Sequence, residues 1–393
     1  VALPLSGVVV VSVEQAVAAP FATRQLADLG ARVIKIERPG GGDFARGYDQ
    51  TVHGQSSHFV WLNRAKESLT LDLKHPEAAG VLAALLDRAD VFVQNLAPGA
   101  AARRGLDPET VRATRPRLVT CAVSGYGRGG PYADRKAYDL LVQAEAGLPT
   151  ITGSPDEPAK AGIAVADIAA GMYAFSGVLA ALLDRERTGV GRAVEVSMLD
   201  ALAEWMGYPF YYAAYGGRPP ERTGAAHATI APYGPFTAGD GRSVLLAVQN
   251  EPEWRRFCDT VLGKPALADD PRFAGNAQRV AHRAELHAAV AERLAELSGD
   301  ELVRLLEEAR IGYASMNDVG SLDRHPQLVA RDRIGAVDSP GGPLRALLPP
   351  IVADGWPPRM DPIPDLGEHT DAVLRWAGFG DADLARLRAS GAL

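Results

Sequence analysis

The chain has 393 residues, 47% of them hydrophobic and 23% charged, with 41 Lys plus Arg against 48 Asp plus Glu and a net charge of −7. That composition is globular, the length asks for two domains or one large domain with a sizeable insertion, and the acidic balance excludes a general nucleic-acid binder. Only Cys121 and Cys258 are present; they lack metal-site spacing and are too few for a disulfide framework, so a reducing, cytoplasmic setting is expected.

The apolar start, LSGVVVVSVEQ, reads as a buried strand (Val8–Val13) rather than a leader, because it has no basic flank and its apolar part is short. Further β-branched runs at Arg32–Glu37, Ser68–Asp72, Val91–Gln94 and Leu118–Val123 alternate with helical stretches at Phe21–Leu29, Pro76–Arg88 and Pro108–Thr114. Such alternation marks βαβ units and a mostly parallel sheet. A long helix is expected from Asp167 to Arg187, apolar nearly all round and therefore buried, followed by a glycine stop and a strand. An aromatic-rich helix over Asp200–Tyr215 precedes the loop GGRPPERTG. The texture then changes: one short strand region (Ser243–Val248) and helices near Glu251–Leu262, Arg279–Leu297 and Gly299–Arg310 suggest a smaller second domain. The tail from Ser321 is rich in Pro and Gly and ends in two short helices. No apolar run reaches the roughly 20 residues of a membrane span, so no membrane contact is expected.

Several motifs point nowhere. Gly125-Tyr-Gly-Arg-Gly-Gly130 has the G-x-G-x-x-G spacing after a strand, but Pro131 follows and no helix opens, which argues against a nicotinamide or flavin site. Neither a phosphate-binding G-x-x-x-x-G-K-[ST] loop nor a G-x-S-x-G nucleophile elbow occurs. The histidine pair nearest to metal spacing, His282 and His287, sits in a charged helical stretch and reads as a solvated face, so no metal is expected. Asp167 stands where the loop AGIAVAD enters the buried helix. It reads either as a helix N-cap or as a nucleophilic carboxylate facing a pocket, and the two are compatible because a helix N-terminus favours negative charge.

The phrases FATRQLADLGARVIKIERPGGGD, NRAKESLTLDLKHP, ADVFVQNLAPGAAARRGL, SGYGRGGPY, KAYD, VADIAAGMYAFSGVLAALLDRERTGVGRAVEVSMLDA and LGEHT, in this order after PLSG, resemble the class III CoA-transferases, a family that also holds formyl-CoA transferase and the α-methylacyl-CoA racemases. The resemblance implies a doubly wound, Rossmann-like large domain with an inserted smaller α+β domain and an interlocked homodimer. On this sequence that gives a large domain over 1–200, a linker over 201–224, a small domain over 225–320, and a linker with C-terminal return over 321–393.

The resemblance also implies that Asp167 is the nucleophile, carrying first an acyl group and then coenzyme A. It places CoA contacts at Val17, Ala18, Arg38, Leu71, Asp72, Lys74, Asn95, Leu96, Ala97, Arg103, Lys136, Ala137 and Tyr138. Carboxylates are ionised near pH 7, so no activating base is expected, and glycine-rich segments are the expected source of oxyanion-binding N–H groups. Three departures bear on the substrate. Val17 replaces a glutamine of the formyl-CoA enzyme, His58 replaces a tyrosine, and Thr223-Gly-Ala-Ala-His227 is bulkier than its glycine loop. They argue against formate or oxalate and towards succinyl-CoA with a dicarboxylate such as glutarate, malate, itaconate or citramalate. His58, Arg46, Arg222 or His227 would then meet the distal carboxylate, which needs a charge-assisted donor. A racemase would need a second acid/base where KAYD has Tyr138, and a phenol is a poor base at neutral pH. A non-catalytic acyl-CoA binding protein would have no use for Asp167.

Overall fold

The computed structural model describes residues 2–393. The first half runs β1 (Val9–Val13), α1 (Ala18–Asp28), β2 (Arg32–Glu37), α2 (Ser57–Leu62), β3 (Lys66–Thr70), α3 (Ala78–Leu86), β4 (Val91–Gln94), α4 (Pro108–Ala113), β5 (Val119–Ser124), α5 (Asp139–Glu145), α6 (Val165–Thr188), β6 (Ala193–Ser197) and α7 (Met198–Trp205). Its strands form one six-stranded sheet in the order β3-β2-β1-β4-β5-β6, with every neighbouring pair parallel. Buried parallel strands need apolar side chains on both faces, and β1 shows why VVVSV serves. Val10 packs in a core with Leu26, Ala170 and Phe175, while Val11 packs in a second core with Ile34, Leu85, Phe92 and Val373. The sheet is covered on both faces and is doubly wound.

Helix α6 is long and apolar enough to cross a membrane by length and composition, which corrects the reading that no run approaches that length. In the fold it is a core helix: Ala166, Ala169, Ala170, Ala174, Phe175, Val178 and Leu182 are buried in the core that covers one face of the sheet. It is not buried all round, since Met172, Tyr173 and Leu183 on its other side are exposed. The aromatic stretch after β6 also departs from expectation. It breaks at Met206 into α7 and a second helix, α8 (Gly207–Gly216).

The chain divides into two compact units, one comprising 1–146, 162–207 and 326–393, the other 147–161 and 208–325. The second unit has an antiparallel sheet of β7 (Tyr233–Thr237), β8 (Ser243–Ala247) and β9 (Gly312–Ser315), of which only β8 was visible in sequence. Its core joins Phe236, Leu246 and Trp254 to Leu286, Val290 and Leu302 from helices over 251–308. His287 is half-buried with its ring edge-on to Phe236 rather than on a solvated face. The last part of the first unit supports β3: Thr370 Oγ1 accepts the Thr70 N–H at 3.1 Å, and the Asp72 N–H donates to the Ala392 carbonyl at 2.8 Å.

Candidate active site

In an open parallel sheet ligands bind beyond the carboxyl ends of the strands, where the strand order reverses. Here the reversal lies between β1 and β4, which lead away in opposite directions to β2 and β5. Asn95, the residue after β4, bridges that crevice: its side chain accepts the Gln15 N–H at 2.9 Å and donates to the Gln15 carbonyl at 2.8 Å. Ala16 follows with φ 62°, a left-handed conformation unusual for a residue with a Cβ. The chain then turns through Val17 into α1, which brings the Ala18 backbone against α6, its N–H near enough to the Asp167 carboxylate to favour the ionised form.

Asp167 is the third residue of α6 and not its cap, which is Ala164. The capping role expected of Asp167 belongs to a side chain from another helix. Asp139, at the start of α5, accepts the Ala166 N–H at 2.8 Å with the Asp167 N–H at 3.5 Å. Burial pushes the Asp167 carboxyl from 3.8 up to about 7, the negative charge of Asp139 adds to the rise, and the Ala18 N–H works against it. The expectation of a fully ionised carboxylate at neutral pH is therefore corrected: near pH 7 Asp167 is divided between its two forms.

One turn below Asp167, Gly171 makes this approach possible. A Cβ there would stand 2.7 Å from the Ala18 carbonyl oxygen and 3.0 Å from the Phe21 ring, so α1 and α6 could not close. Gly171→Ala is expected to lower stability by about 1–3 kcal/mol, the usual range for overpacking, against a helix-propensity gain of about 1 kcal/mol. Turnover is expected to fall with it, because the Ala18 N–H moves off Asp167; thermal melts and steady-state rates check both.

The residues implied for CoA follow the carboxyl ends of successive strands. Val17 and Ala18 lie after β1, Arg38 after β2, Leu71, Asp72 and Lys74 after β3, Asn95, Leu96 and Ala97 after β4, and Lys136, Ala137 and Tyr138 in the loop after β5. Arg103 lies in the short turn after β4, its guanidinium over Gly99. Among the described residues Arg38, Lys74, Arg103 and Lys136 are exposed and form no ion pair, whereas many surface arginines of this chain do. Four free cations in the loops that follow β2, β3, β4 and β5 suit a phosphate-bearing ligand. Leu71 is 1% exposed and its side chain belongs to the core, and Asp72 accepts the Lys74 N–H at 2.9 Å. Ala137 is seated against Gly125, where a Cβ would come within 2.1 Å of it.

The profile of CoA-transferase family III matches residues 5–370. The chain belongs to CoA-transferase family III. It is 36% identical to a succinate–glutarate CoA-transferase of Agrobacterium fabrum, over 94% of this chain and 95% of that one. It is 35% identical to an acetyl-CoA:oxalate CoA-transferase of Acetobacter aceti, covering 87% and 89% of the two chains. Among solved structures, a CAIB/BAIF family protein from Brucella suis superposes with a TM-score of 0.81 at 34% identity, covering 96% of this chain and all (100%) of that one.

For a family III transferase the remaining question at the site is what meets the acid, and the structure sorts the four candidates. Arg46 is committed elsewhere. It forms a two-pronged pair with the buried Glu37, both bonds 2.8 Å, and lies over the Phe59 ring. Arg222, in the second unit, donates to the carbonyls of Ser154 and Pro155 at 2.9 and 2.8 Å. His227, also in the second unit, stacks on Tyr233 and accepts the Thr229 N–H on Nδ1; burial and then Arg283 hold it below the usual imidazole range, so it is no cation. Arg46 and Arg222 thus already hold protein acceptors, while His227, accepting on Nδ1, keeps its Nε2–H to donate. His58 remains partly exposed, with Asp49 at 3.7 Å and the Tyr48 ring edge-on at 5.3 Å between centroids. Tyr48 was missed in the sequence. Tyr48 is 49% exposed; partial desolvation, then the charges of Asp43 and Asp167 and the neighbouring Tyr138, hold its phenol above the usual range, which puts it within electrostatic reach of Asp167. Nothing in the phrase FARGYDQ marks it. A small cavity lined by Leu3, Gln25, Leu29 and Trp356 shares no residue with this site.

Proposed function

We propose that this chain transfers coenzyme A from succinyl-CoA to a dicarboxylic acid, with Asp167 as the covalent carrier. The observation that carries the reading is Asp167 itself: a carboxylate of raised basicity, faced by a backbone N–H, beside the crevice of an enzyme of this family. The ionised Asp167 attacks the thioester carbonyl, forming an aspartyl–succinyl anhydride and releasing the CoA thiolate. The thiolate attacks the aspartyl carbonyl, freeing succinate and leaving an aspartyl-CoA thioester. The acceptor carboxylate attacks that thioester and again expels the thiolate, which captures the acyl group of the acceptor and returns Asp167 free. Each step exchanges one acyl bond for another, so no proton is gained or lost overall. A carboxylate whose basicity burial has raised is a better nucleophile once ionised, and the Ala18 N–H can serve the oxyanion that forms at its carbonyl.

Support for dicarboxylates comes from relatives named for glutarate, oxalate and D-citramalate. The relative named for oxalate keeps that acid among the candidates, against the sequence argument that set it aside. His58 and Tyr48 are the groups proposed to meet the acid. The reading includes an interlocked cytoplasmic homodimer, for which Tyr208, Phe210, Tyr211 and Tyr215 of α8 offer exposed apolar surface; light scattering of the purified chain tests it. Substrate choice is tested by offering succinyl-CoA with glutarate, oxalate, malate, itaconate, citramalate, acetate and butyrate, reading products by mass spectrometry. Dicarboxyl-CoA thioesters are expected at rates at least tenfold above the monocarboxylic ones; equal rates for acetate and butyrate defeat the dicarboxylate assignment.

A further inference from the structure

Beneath the loop that carries the Ala18 N–H lies a set of opposed charges shut off from water. Glu14, Lys35, Asp43, Asn63 and Lys66 are each at most 2% exposed. Lys66 Nζ donates to Glu14 at 2.7 Å, to Asn63 Oδ1 at 3.2 Å and to the Pro20 carbonyl at 3.1 Å. Lys35 Nζ donates to Asp43 Oδ2 at 2.6 Å and to the same Asn63 oxygen at 3.1 Å, with Glu14 at 3.7 Å. The second oxygen of Glu14 accepts the Thr23 hydroxyl at 2.7 Å. Asp43 Oδ1 accepts two backbone donors, Ala16 N–H at 3.0 Å and Ala45 N–H at 2.9 Å.

Such a cluster is a poor way to gain stability. Buried ion pairs replaced by apolar groups of like volume are often as stable or more so. What the cluster does supply is geometry. The segment 15–20 is gripped at three places: Gln15 by Asn95, Ala16 by Asp43, and Pro20 by Lys66. Between the second and third grips lie Val17 and Ala18. Ala16 at φ 62° is held against a cost of about 1–2 kcal/mol for a left-handed residue with a Cβ, and such a conformation persists only where its surroundings over-determine it.

We infer that the Glu14–Lys66–Asn63–Lys35–Asp43 network is a positioning device for the transfer reaction, acting through Asp43, which fixes the Ala16 turn so that the Ala18 N–H faces the Asp167 carboxylate. The inference rests on the reading of Asp167 as the covalent carrier. Asp43 touches neither substrate nor the reacting atoms; it acts through the backbone of residues 16–18.

The test is Asp43→Asn, of equal volume, whose amide cannot both accept from Lys35 and hold the Ala16 N–H as the carboxylate does. Its expected signature is kcat at least tenfold lower with the Kd of free CoA within about twofold, and an acid limb of the pH–rate profile moved to higher pH. The charged or titratable groups around Asp167 are Asp139 and Tyr48, both left intact. Removing the negative charge of Asp43 would by its field alone move that limb the other way, so an upward shift reports the lost N–H contact. Asp43→Ala/Lys35→Met removes the opposed charges and the acceptor for the Ala16 N–H together, and is expected to show the same signature with its melting temperature nearer the parent's. A folded variant with unchanged kcat and limb overturns the inference. So does a parallel fall of kcat, CoA affinity and melting temperature in both variants, or failure of both to fold, since the network then only holds the fold. Hydroxylamine trapping of the parent chain separates the two levels. Absence of label on Asp167 sinks the carrier reading and this inference with it; label on Asp167 with indifferent Asp43 variants sinks this inference alone.

Discussion

Asp167→Asn is expected to abolish turnover by about three orders of magnitude or more while making the protein more stable at pH 8. The loss follows from the proposed chemistry, because a carboxamide cannot form the anhydride or store CoA. The gain follows from where Asp167 sits. Its carboxyl titrates near 3.8 in an open chain and about 7 in the fold. Between those pH values the folded chain keeps a proton that the unfolded chain has released, so stability falls as pH rises through the window and the full cost of a buried charge is present above about pH 7. Asparagine carries no such cost. Because Asp167 retains some contact with solvent, the gain is discounted to about 1–3 kcal/mol at pH 8, shrinking towards zero near pH 4. Thermal melts at pH 5 and pH 8, with CoA titrations to show that the site still binds, measure it. An inactive variant that melts lower at both pH values would mean that Asp167 holds the helix start rather than the chemistry.

What could be read from the sequence was what local pattern records. β2 and β4 fell where their β-branched runs did, and α6 was recognised within two residues of its ends because an apolar stretch between AGIAV and a glycine stop has few other readings. β3 begins two residues before its expected start, since its first residues, KES, are polar and show no β-branched run. A lysine inside a protein is rare, and local pattern does not show that Lys35 and Lys66 are both buried against carboxylates from distant segments. Asp139 escaped for a related reason. It caps a helix 27 positions away, a partnership that no local window contains. Arg46 and Arg222 looked free because Glu37 and the carbonyls of residues 154 and 155 become their partners only in the folded chain. The role proposed for Asp167 comes through the family resemblance; the residues alone pointed first to a helix cap, with a nucleophile compatible with it.

Asp139→Asn is expected to move the acid limb of kcat/KM to lower pH by about one unit while leaving α6 capped. The parent enzyme should lose activity roughly tenfold per pH unit below about 7, where Asp167 takes up its proton and ceases to be a nucleophile. Asp139 contributes to that position by its charge and, separately, caps the helix with its Oδ1 oxygen. The amide keeps an oxygen for the Ala166 N–H and drops the charge, so it separates the two effects. With less repulsion Asp167 ionises more readily, and at pH 6 the variant should outrun its parent. Above pH 8, where both are ionised, it should be slower by less than tenfold, because the less basic carboxylate is the weaker nucleophile. The two profiles therefore cross. Asp139→Ala should shift the limb in the same direction but also lose about 1 kcal/mol of stability with the cap. A limb that stays put in both variants would assign the titration to a group other than Asp167, and a uniform loss at every pH would make Asp139 a structural cap alone.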